Sequence, residues 1–318
     1  MSQILGLERA QQITRLLGDE SNGVSSVLLY GPRGCGKTLL VNQLIEMWLH
    51  AKTDLANRAV DSYRRGTNPD FLHIRPSGPS NIITVGQISP SAVRKSDDPL
   101  SLLEYIRVSP LYSRNKAIWI EDVHRLNRNA SNSLLKTLEE PPHTVKLILT
   151  SSQISQVQPT ILSRCLVVNC GLPTAEELTG HYPQVPEAIS FLAEGAPGTL
   201  EKISVNPDIY SDIVALAGRI VTTHPHQAMV LSEEFRKLSD RLEDVEKQGI
   251  RNTNARTLEL LAIAISRQYS HRADAVRLIT DAHRRIISNA NPALVLDAMI
   301  GKIVLANNLG TNRMRLGV

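Results

Sequence analysis

The sequence GPRGCGKTLL, from Gly31 to Leu40, decides the fold of the N-terminal half of this chain. It fits G-x-x-x-x-G-K-S/T in full, and it follows the apolar run VLLY and precedes the helical pattern LLVNQLIEMW. A strand, a glycine-rich loop and a helix in this order predict a loop whose backbone N–H groups and lysine hold phosphate oxygens. The residues predicted to bind nucleotide are Gly31, Pro32, Arg33, Gly34, Cys35, Gly36, Lys37, Thr38 and Leu39.

An acidic pair follows about ninety residues later in IWIEDVHRLN, Ile118 to Asn127. A phosphate-binding loop needs an acid at the end of a neighbouring strand to hold Mg²⁺, and often a second acid to orient the attacking water. Glu121 stands at the metal position together with the Thr38 hydroxyl, and Asp122 at the water position. This order reverses the usual Asp-Glu. ATP and Mg²⁺ are therefore the expected cofactors, and the alternative is two solvated acids after a strand.

The composition is typical of a soluble globular protein of 318 residues, long enough for two or three domains. No apolar run approaches the roughly 20 residues that cross a membrane, and no secretory signal is visible, so we expect a cytoplasmic protein. The three cysteines have neither a disulfide framework nor zinc-like spacing. A net charge of +4 is compatible with a polyanionic partner but identifies none.

Three regions differ in pattern. Short β-rich runs (SSVLLY, KAIWI, VKLILT) alternate with helical stretches in residues 1–170, which predicts an α/β domain with a parallel sheet. Residues 171–205 form a short segment that is mostly helical in pattern and interrupted by Pro and Gly. This segment is interpreted as a small lid. Residues 206–318 carry apolar residues at helical spacing and predict an all-helical domain. Within the first region, Arg75 to Pro99 is interpreted as a loop around a short strand, IITVG.

Two further motifs carry a family resemblance. NASNSLLKTLEEPP, Asn129 to Pro142, and PTILSRC, Pro159 to Cys165, resemble segments of the clamp-loader ATPases of DNA polymerase, in the AAA+ superfamily. RRGTNPDFLHI, Arg64 to Ile74, and LAEGAPGTL, Leu192 to Leu200, are most similar to the delta-prime branch of bacterial DNA polymerase III, with gamma/tau as near relatives. The resemblance covers the N-terminal half and implies an AAA+ domain, a lid and a C-terminal oligomerisation collar.

The resemblance also implies roles for single residues. Arg164 matches the arginine finger that acts on the nucleotide of a neighbouring subunit, and Ser152, beside Ser151, matches the sensor position after VKLILT. Asp122 matches the catalytic acid. Sequence-independent contact with the DNA backbone is assigned to Arg107, Arg114 and Lys136.

Three departures from the family pattern concern ATP hydrolysis and metal. The acidic pair is reversed, and Thr199 stands where hydrolysing relatives carry an arginine toward the terminal phosphate. The four-cysteine zinc module of bacterial relatives is missing, since no cysteine lies between Cys35 and Cys165, so no zinc is expected. We therefore expect weak ATP hydrolysis by the chain itself. His124 in the EDVHRL turn is assigned a structural role.

The resulting hypothesis is a delta-prime-like clamp-loader subunit. It would join a hetero-pentamer of clamp-loader subunits, help open the sliding clamp and load it on primed DNA, and associate with the nucleoid during replication, with no membrane partner. One alternative is a gamma-like or phage clamp-loader motor that hydrolyses ATP itself. A second is a scaffold subunit of the same assembly that binds no nucleotide, although the complete GPRGCGKT argues against it.

Overall fold

The protein is described from a computed structural model that covers residues 8–18, 23–49, 56–78, 81–90 and 100–315. The chain divides into two compact units. The first comprises Met1–His181 and Gly195–Gly198, and the second comprises Tyr182–Glu194 and Thr199–Val318. The chain passes from one unit to the other three times within residues 171–205, the segment predicted as the lid.

The first unit is built on a five-stranded sheet of order β2-β3-β4-β1-β5, with every neighbouring pair parallel. The strands are β1 (Ser26–Tyr30), β2 (Phe71–Ile74), β3 (Lys116–Ile120), β4 (Val145–Ser151) and β5 (Leu166–Asn169). The three central strands are almost entirely buried, which suits their continuous apolar sequences because both faces of a parallel sheet are covered. The predicted parallel α/β domain is confirmed.

Helices cover both faces of this sheet. The helices of the first unit are α1 (Glu8–Gly18), α2 (Lys37–Leu49), α3 (Ala56–Arg64), α4 (Val85–Ile88), α5 (Leu102–Tyr105), α6 (Arg128–Glu139), α7 (Pro159–Leu162) and α8 (Ala175–His181). Buried side chains of α1 and α2 pack with Trp119 and Ile148 of the sheet in one core. Those of α4, α5, α6 and α7 pack with Leu28 and Ile118 in a second core on the opposite face.

The predicted strand IITVG, residues 82–86, is wrong in its second half. Ile82 and Ile83 each form a single bridge, to Ser77 and Leu126. At Thr84 the chain turns into α4, whose first turn is stabilised because the Thr84 N–H donates to the Gln87 side chain at 3.0 Å. Residues 79–80 and 91–99 of the segment predicted as a loop lie outside the described residues.

The described residues of the second unit form helices joined by short loops and contain no strand, which confirms the predicted helical C-terminal region. Its helices are α9 (Glu187–Ser190), α10 (Pro197–Val205, which begins in the first unit), α11 (Pro207–Thr222), α12 (Ala228–Glu246), α13 (Ile250–Gln268), α14 (Ala273–Ile287) and α15 (Pro292–Arg315). Large buried residues such as Tyr210, Phe235 and Leu261 fill the space between the longer helices. The apolar residues at helical spacing are thus its core.

Candidate nucleotide-binding site

The phosphate-binding loop runs from the end of β1 to the start of α2, where the sequence predicted it. Gly34 and Gly36 have φ values of +76° and +98°, which residues with a Cβ adopt only with strain. A Cβ on Gly31 would lie 2.2 Å from the Cys170 carbonyl oxygen, so no other residue fits there. The Gly31 N–H donates to the Ser151 carbonyl at 3.2 Å, which ties the loop to β4.

The Lys37 ammonium lies over this loop. It donates to the carbonyl oxygens of Gly31 and Pro32, at 2.7 Å each, and its Nζ is 3.9 Å from the Cys35 sulfur. Thr38 and Leu39, the next two residues of α2, are exposed. A lysine at the centre of a glycine loop that opens a helix has the donor set that phosphate groups require, so the residues present fit a nucleotide.

The segment predicted as a lid, residues 171–205, contacts the same loop through Gly198. Its N–H donates to the Gly34 carbonyl at 2.9 Å, and a Cβ on Gly198 would lie 3.0 Å from that oxygen. The next residue, Thr199, is buried in α10. Thr199 was predicted to matter because it replaces an arginine, but no local pattern indicated Gly198, since its contact joins residues 164 positions apart.

Glu121 contacts a histidine of a neighbouring strand. Its carboxylate accepts a hydrogen bond from the His73 ring at 3.0 Å, and this ring stacks on Trp119 at 4.2 Å between centroids. The hydrogen bond from His73 lowers the pKa of Glu121, and the charges of Arg75 and Arg33 lower it further. Parallel pairing of β2 with β3 brings His73 opposite Trp119, which no local pattern predicted.

Asp122 lies at a sharp change of chain direction after β3. Its backbone has φ 49° and ψ 54°, a left-handed conformation that Asp tolerates better than most residues. Its carboxylate lies 3.6 Å from the Arg125 guanidinium and 3.9 Å from the His124 ring. The second acid of the pair therefore also faces basic groups of the chain.

The Ser151 hydroxyl lies next to His124, the residue that neighbours Asp122. Its Oγ lies 3.1 Å from Nδ1 of His124 and accepts the Gln153 N–H at 3.1 Å. Burial lowers the pKa of His124, which favours a neutral ring suited to this hydrogen bond and agrees with the structural role assigned to it. Ser152 is next along the chain and half-buried, and its sensor role stays a prediction.

Arg164 lies just after α7 and is held by its own chain. Its Nε and Nη2 donate to Oε1 of Glu139, at 3.0 and 2.7 Å, while Nη1 donates to the Thr160 carbonyl and the Ser163 hydroxyl. Glu139 ends α6, so the two motifs that carried the family resemblance meet through this ion pair. No local pattern indicated Glu139 as the partner of Arg164.

The residues predicted to contact DNA are all exposed. Arg107 and Arg114 flank a loop that is held by the buried carboxylate of Asp70. Asp70 accepts the N–H groups of residues 111, 112 and 113 at 2.6, 2.6 and 2.8 Å. Lys136 lies in the last turn of α6. Each of the two basic regions is thus placed on an ordered element.

The described residues contain neither a cluster of metal-ligating side chains nor a membrane-spanning helix. No three His, Cys, Asp or Glu side chains among them form a group that could hold a metal ion. In the same part of the chain, no helix combines the length and apolar character needed to cross a membrane.

Comparisons with known proteins agree with this geometry. A sequence profile described as "DNA polymerase III, delta subunit" matches residues 11–172, just over half of the chain. The chain belongs to the DNA polymerase III clamp-loader family of AAA+ proteins. The family motifs of this clamp-loader protein therefore indicated its membership correctly.

Individual relatives point to more than one branch of the clamp-loader family. The chain is 30% identical over 206 residues to DNA polymerase III subunit delta' of Pseudomonas aeruginosa, covering 61% of this chain and 60% of that protein. It is 26% identical over 316 residues to subunit tau of Escherichia coli, covering 90% of this chain and 45% of that protein. The chain thus matches less than two thirds of the length of either relative.

A solved structure shares the whole fold of this clamp-loader protein. The crystal structure of a DNA polymerase III gamma subunit-related protein from Thermotoga maritima covers 94% of this chain and 100% of its own, with a TM-score of 0.53. At 17% identity this likeness concerns the fold alone. It supports the assignment of a parallel AAA+ sheet followed by a helical C-terminal region.

Proposed function

We propose that this chain is a delta-prime-like subunit that binds ATP and Mg²⁺ at its own loop, hydrolyses it weakly, and supplies Arg164 to the nucleotide of a neighbouring subunit. Its partners are then other clamp-loader subunits in a hetero-pentamer, a sliding clamp and primed DNA. Family membership and the complete loop with Lys37 support the nucleotide part. Thr38 and Glu121 would hold the Mg²⁺, which would supply positive charge to neutralise the phosphate oxygens.

Weak hydrolysis is supported by the contacts of both acids, Glu121 and Asp122, with basic side chains. Glu121, the candidate metal ligand, accepts from His73 at 3.0 Å, and Asp122 faces Arg125 and His124. A carboxylate that polarises water or holds a cation must offer its lone pairs to that group. Here one Glu121 oxygen is occupied by His73, and basic groups lie 3.6 and 3.9 Å from the Asp122 carboxylate and compete for it. Binding without efficient turnover follows.

The lid supports the same conclusion. Thr199 is buried in α10, and its short neutral side chain cannot supply the charge that an arginine brings to a terminal phosphate. Gly198 holds the loop through its backbone instead. The segment therefore contributes to the shape of the loop and adds no positive charge from a side chain at position 199.

Action in trans is supported by the surroundings of Arg164. Its hydrogen bonds go to Glu139, Thr160 and Ser163 at the end of α6 and along α7. The Arg164 side chain is about one-third exposed, so its Nε and Nη2 can exchange the Glu139 carboxylate for a phosphate from another subunit. Arginine fingers of this kind contribute about 10³ to 10⁵ in turnover.

Contact with DNA is proposed for Arg107, Arg114 and Lys136. Exposed Lys and Arg that neutralise phosphates release counterions, so binding weakens steeply as salt rises and is independent of sequence. Replacing one such residue by Ala is expected to reduce the slope of log affinity against log salt by about 1.

A second candidate, a gamma-like motor, is favoured by one observation: the alignment with subunit tau spans 90% of this chain. The test is reconstitution with an ATP-hydrolysing clamp-loader partner. ATP hydrolysis by the partner is measured separately from hydrolysis by this chain. Arg164→Ala should reduce the partner's hydrolysis at least a hundredfold, whereas the matched surface variant Arg285→Ala should leave the partner's hydrolysis unchanged. Unchanged partner hydrolysis in Arg164→Ala would refute the finger, and rapid turnover by the chain alone would favour the motor.

A further inference from the structure

Two thiols from distant parts of the chain meet beneath the phosphate-binding loop. Cys35 lies within the loop, and Cys170 directly follows β5, whose pairing with β1 continues as the Cys170 N–H donates to the Tyr30 carbonyl at 2.7 Å. Both cysteines are free thiols and fully buried. The sequence analysis treated Cys35 as a loop residue and did not connect it with Cys170.

The Cys35 and Cys170 side chains interact, and each shifts the pKa of the other. The two residues meet beside Gly31, because a Cβ there would lie 3.0 Å from the Cys35 sulfur and 2.2 Å from the Cys170 carbonyl oxygen. The Lys37 ammonium, 3.9 Å from the Cys35 sulfur, places a positive charge beside it. This is the environment that makes one thiol of a pair nucleophilic and leaves the other as its partner.

The charge state of the pair is asymmetric. The hydrogen bond from the Cys170 thiol and the charge of Lys37 lower the pKa of Cys35 to about 6, whereas the same pairing raises the pKa of Cys170. The third cysteine provides a contrast, since burial raises the pKa of Cys165 to about 12. Of the three thiols, Cys35 is therefore the one whose pKa is lowered.

We propose that Cys35 and Cys170 form a redox pair that hydrogen peroxide converts to a disulfide, and that this disulfide closes the loop to nucleotide. In the first step the Cys35 thiolate attacks one peroxide oxygen, the O–O bond breaks, and hydroxide leaves, giving a sulfenic acid. In the second step the Cys170 sulfur attacks the Cys35 sulfur, and the sulfenic oxygen leaves as water with the thiol proton. Two electrons pass from the sulfurs to peroxide, and a dithiol reductant reverses the change.

Closure follows from where the new bond lies. A disulfide holds its sulfurs about 2 Å apart, so the bond would draw Cys35 toward Cys170 and fix its position. The Cys35 N–H donates to the Pro32 carbonyl at 3.4 Å, a hydrogen bond within the loop that this movement would strain. Gly34, Gly36 and Lys37 adjoin Cys35, and their N–H groups would face phosphate. The shift therefore reaches the loop and displaces its donors.

The closure half of this inference rests on the proposed nucleotide binding, whereas the bond itself does not. The experiment treats the full chain with a small excess of hydrogen peroxide, then counts free thiols and maps disulfides by peptide mass spectrometry without reduction. Affinity for a fluorescent ATP analogue is measured before treatment, after it, and after dithiothreitol. The expected result is a fall from three free thiols to one, a Cys35–Cys170 linkage, and at least a tenfold loss of affinity that dithiothreitol restores.

Two variants distinguish the redox pair from general oxidative damage. Cys170→Ser should retain nucleotide affinity within about threefold and lose its reversible sensitivity to peroxide, while Cys165→Ser should behave like the unmodified protein. Prior saturation with ATP should slow formation of the bond, because the nucleotide covers the loop above Cys35.

The possible results are distinguishable. Failure to form a Cys35–Cys170 bond, or formation of the bond with unchanged affinity, would overturn the proposal. A reduced chain that binds no ATP analogue would refute the proposed function and the closure together, and the mass-spectrometric linkage would still decide whether the pair is redox-active.

Discussion

Replacing Gly31 by Ala tests how the sheet constrains the phosphate-binding loop. The added Cβ would lie 2.2 Å from the Cys170 carbonyl oxygen, about 1 Å inside a normal carbon–oxygen contact. The obstructing atom belongs to the backbone, and Cys170 is also paired to β1 through its N–H, so neither side can yield by rotating a side chain. Either the loop or the end of β5 has to shift.

Overpacking of this kind costs about 3 kcal/mol of the free energy of unfolding. For a unit of this size, that corresponds to a fall of about 6 to 12 °C in melting temperature. A misplaced loop should also weaken ATP binding at least tenfold. Thermal unfolding followed by circular dichroism, and titration with a fluorescent ATP analogue, measure the two effects.

Gly171→Ala is the matched control, because a Cβ at Gly171 meets no atom within 4 Å and its φ is not positive. It should change stability by no more than about 0.5 kcal/mol. The reasoning is refuted if Gly31→Ala and Gly171→Ala have the same melting temperature and the same affinity for ATP.

Three further predictions concern other parts of the structure. Asp70→Ala removes the carboxylate that accepts three N–H groups, so it should lower the free energy of unfolding by about 3 kcal/mol. The amides of residues 111–113 should then exchange with solvent faster, and an unchanged exchange rate would contradict this. Because the folded Cys35 has a pKa of about 6 against 9.0 for an ordinary cysteine, the unfolded chain binds more protons there, and stability should rise between pH 6 and 9. Above pH 9 it should fall, since the raised pKa of Cys170 keeps a proton that the unfolded chain loses, and Cys170→Ala should flatten this dependence in urea unfolding. Glu139→Gln should change the free energy of unfolding by less than about 1 kcal/mol. It should raise a partner's ATP turnover in a reconstituted assembly, because Arg164 then does not have to leave a carboxylate before it reaches the partner's phosphate. Lower turnover would indicate instead that Glu139 positions Arg164.

Local sequence patterns were sufficient for much of the fold. The loop motif, three of the five strands and the helical C-terminal region depend on periodicity and on residues close together in the chain. The two edge strands were missed because they are short, and because polar or exposed residues interrupt the apolar pattern that a covered strand shows. The residues at 82–86 favoured a strand by composition, but Gln87 completes a cap and the chain turns into a helix.

The site could be predicted only in part. Spacing located Lys37 and the acidic pair, since these are defined by position in a motif. The partners that set their chemistry come from other strands: His73 reaches Glu121 through the pairing of β2 with β3, and Cys170 reaches the loop through β5. The choice between Ser151 and Ser152 depends on which hydroxyl faces His124, which strand register decides.

The most direct test of the central claim is nucleotide binding and ATP turnover by the purified chain, with and without primed DNA. Lys37→Ala is the informative variant, and Lys237→Ala, an exposed lysine of α12, is its control. The account predicts ATP binding that Lys37→Ala abolishes and Lys237→Ala preserves, with negligible turnover under both conditions. Rapid hydrolysis that DNA accelerates would contradict it, and would make this chain a motor of its assembly.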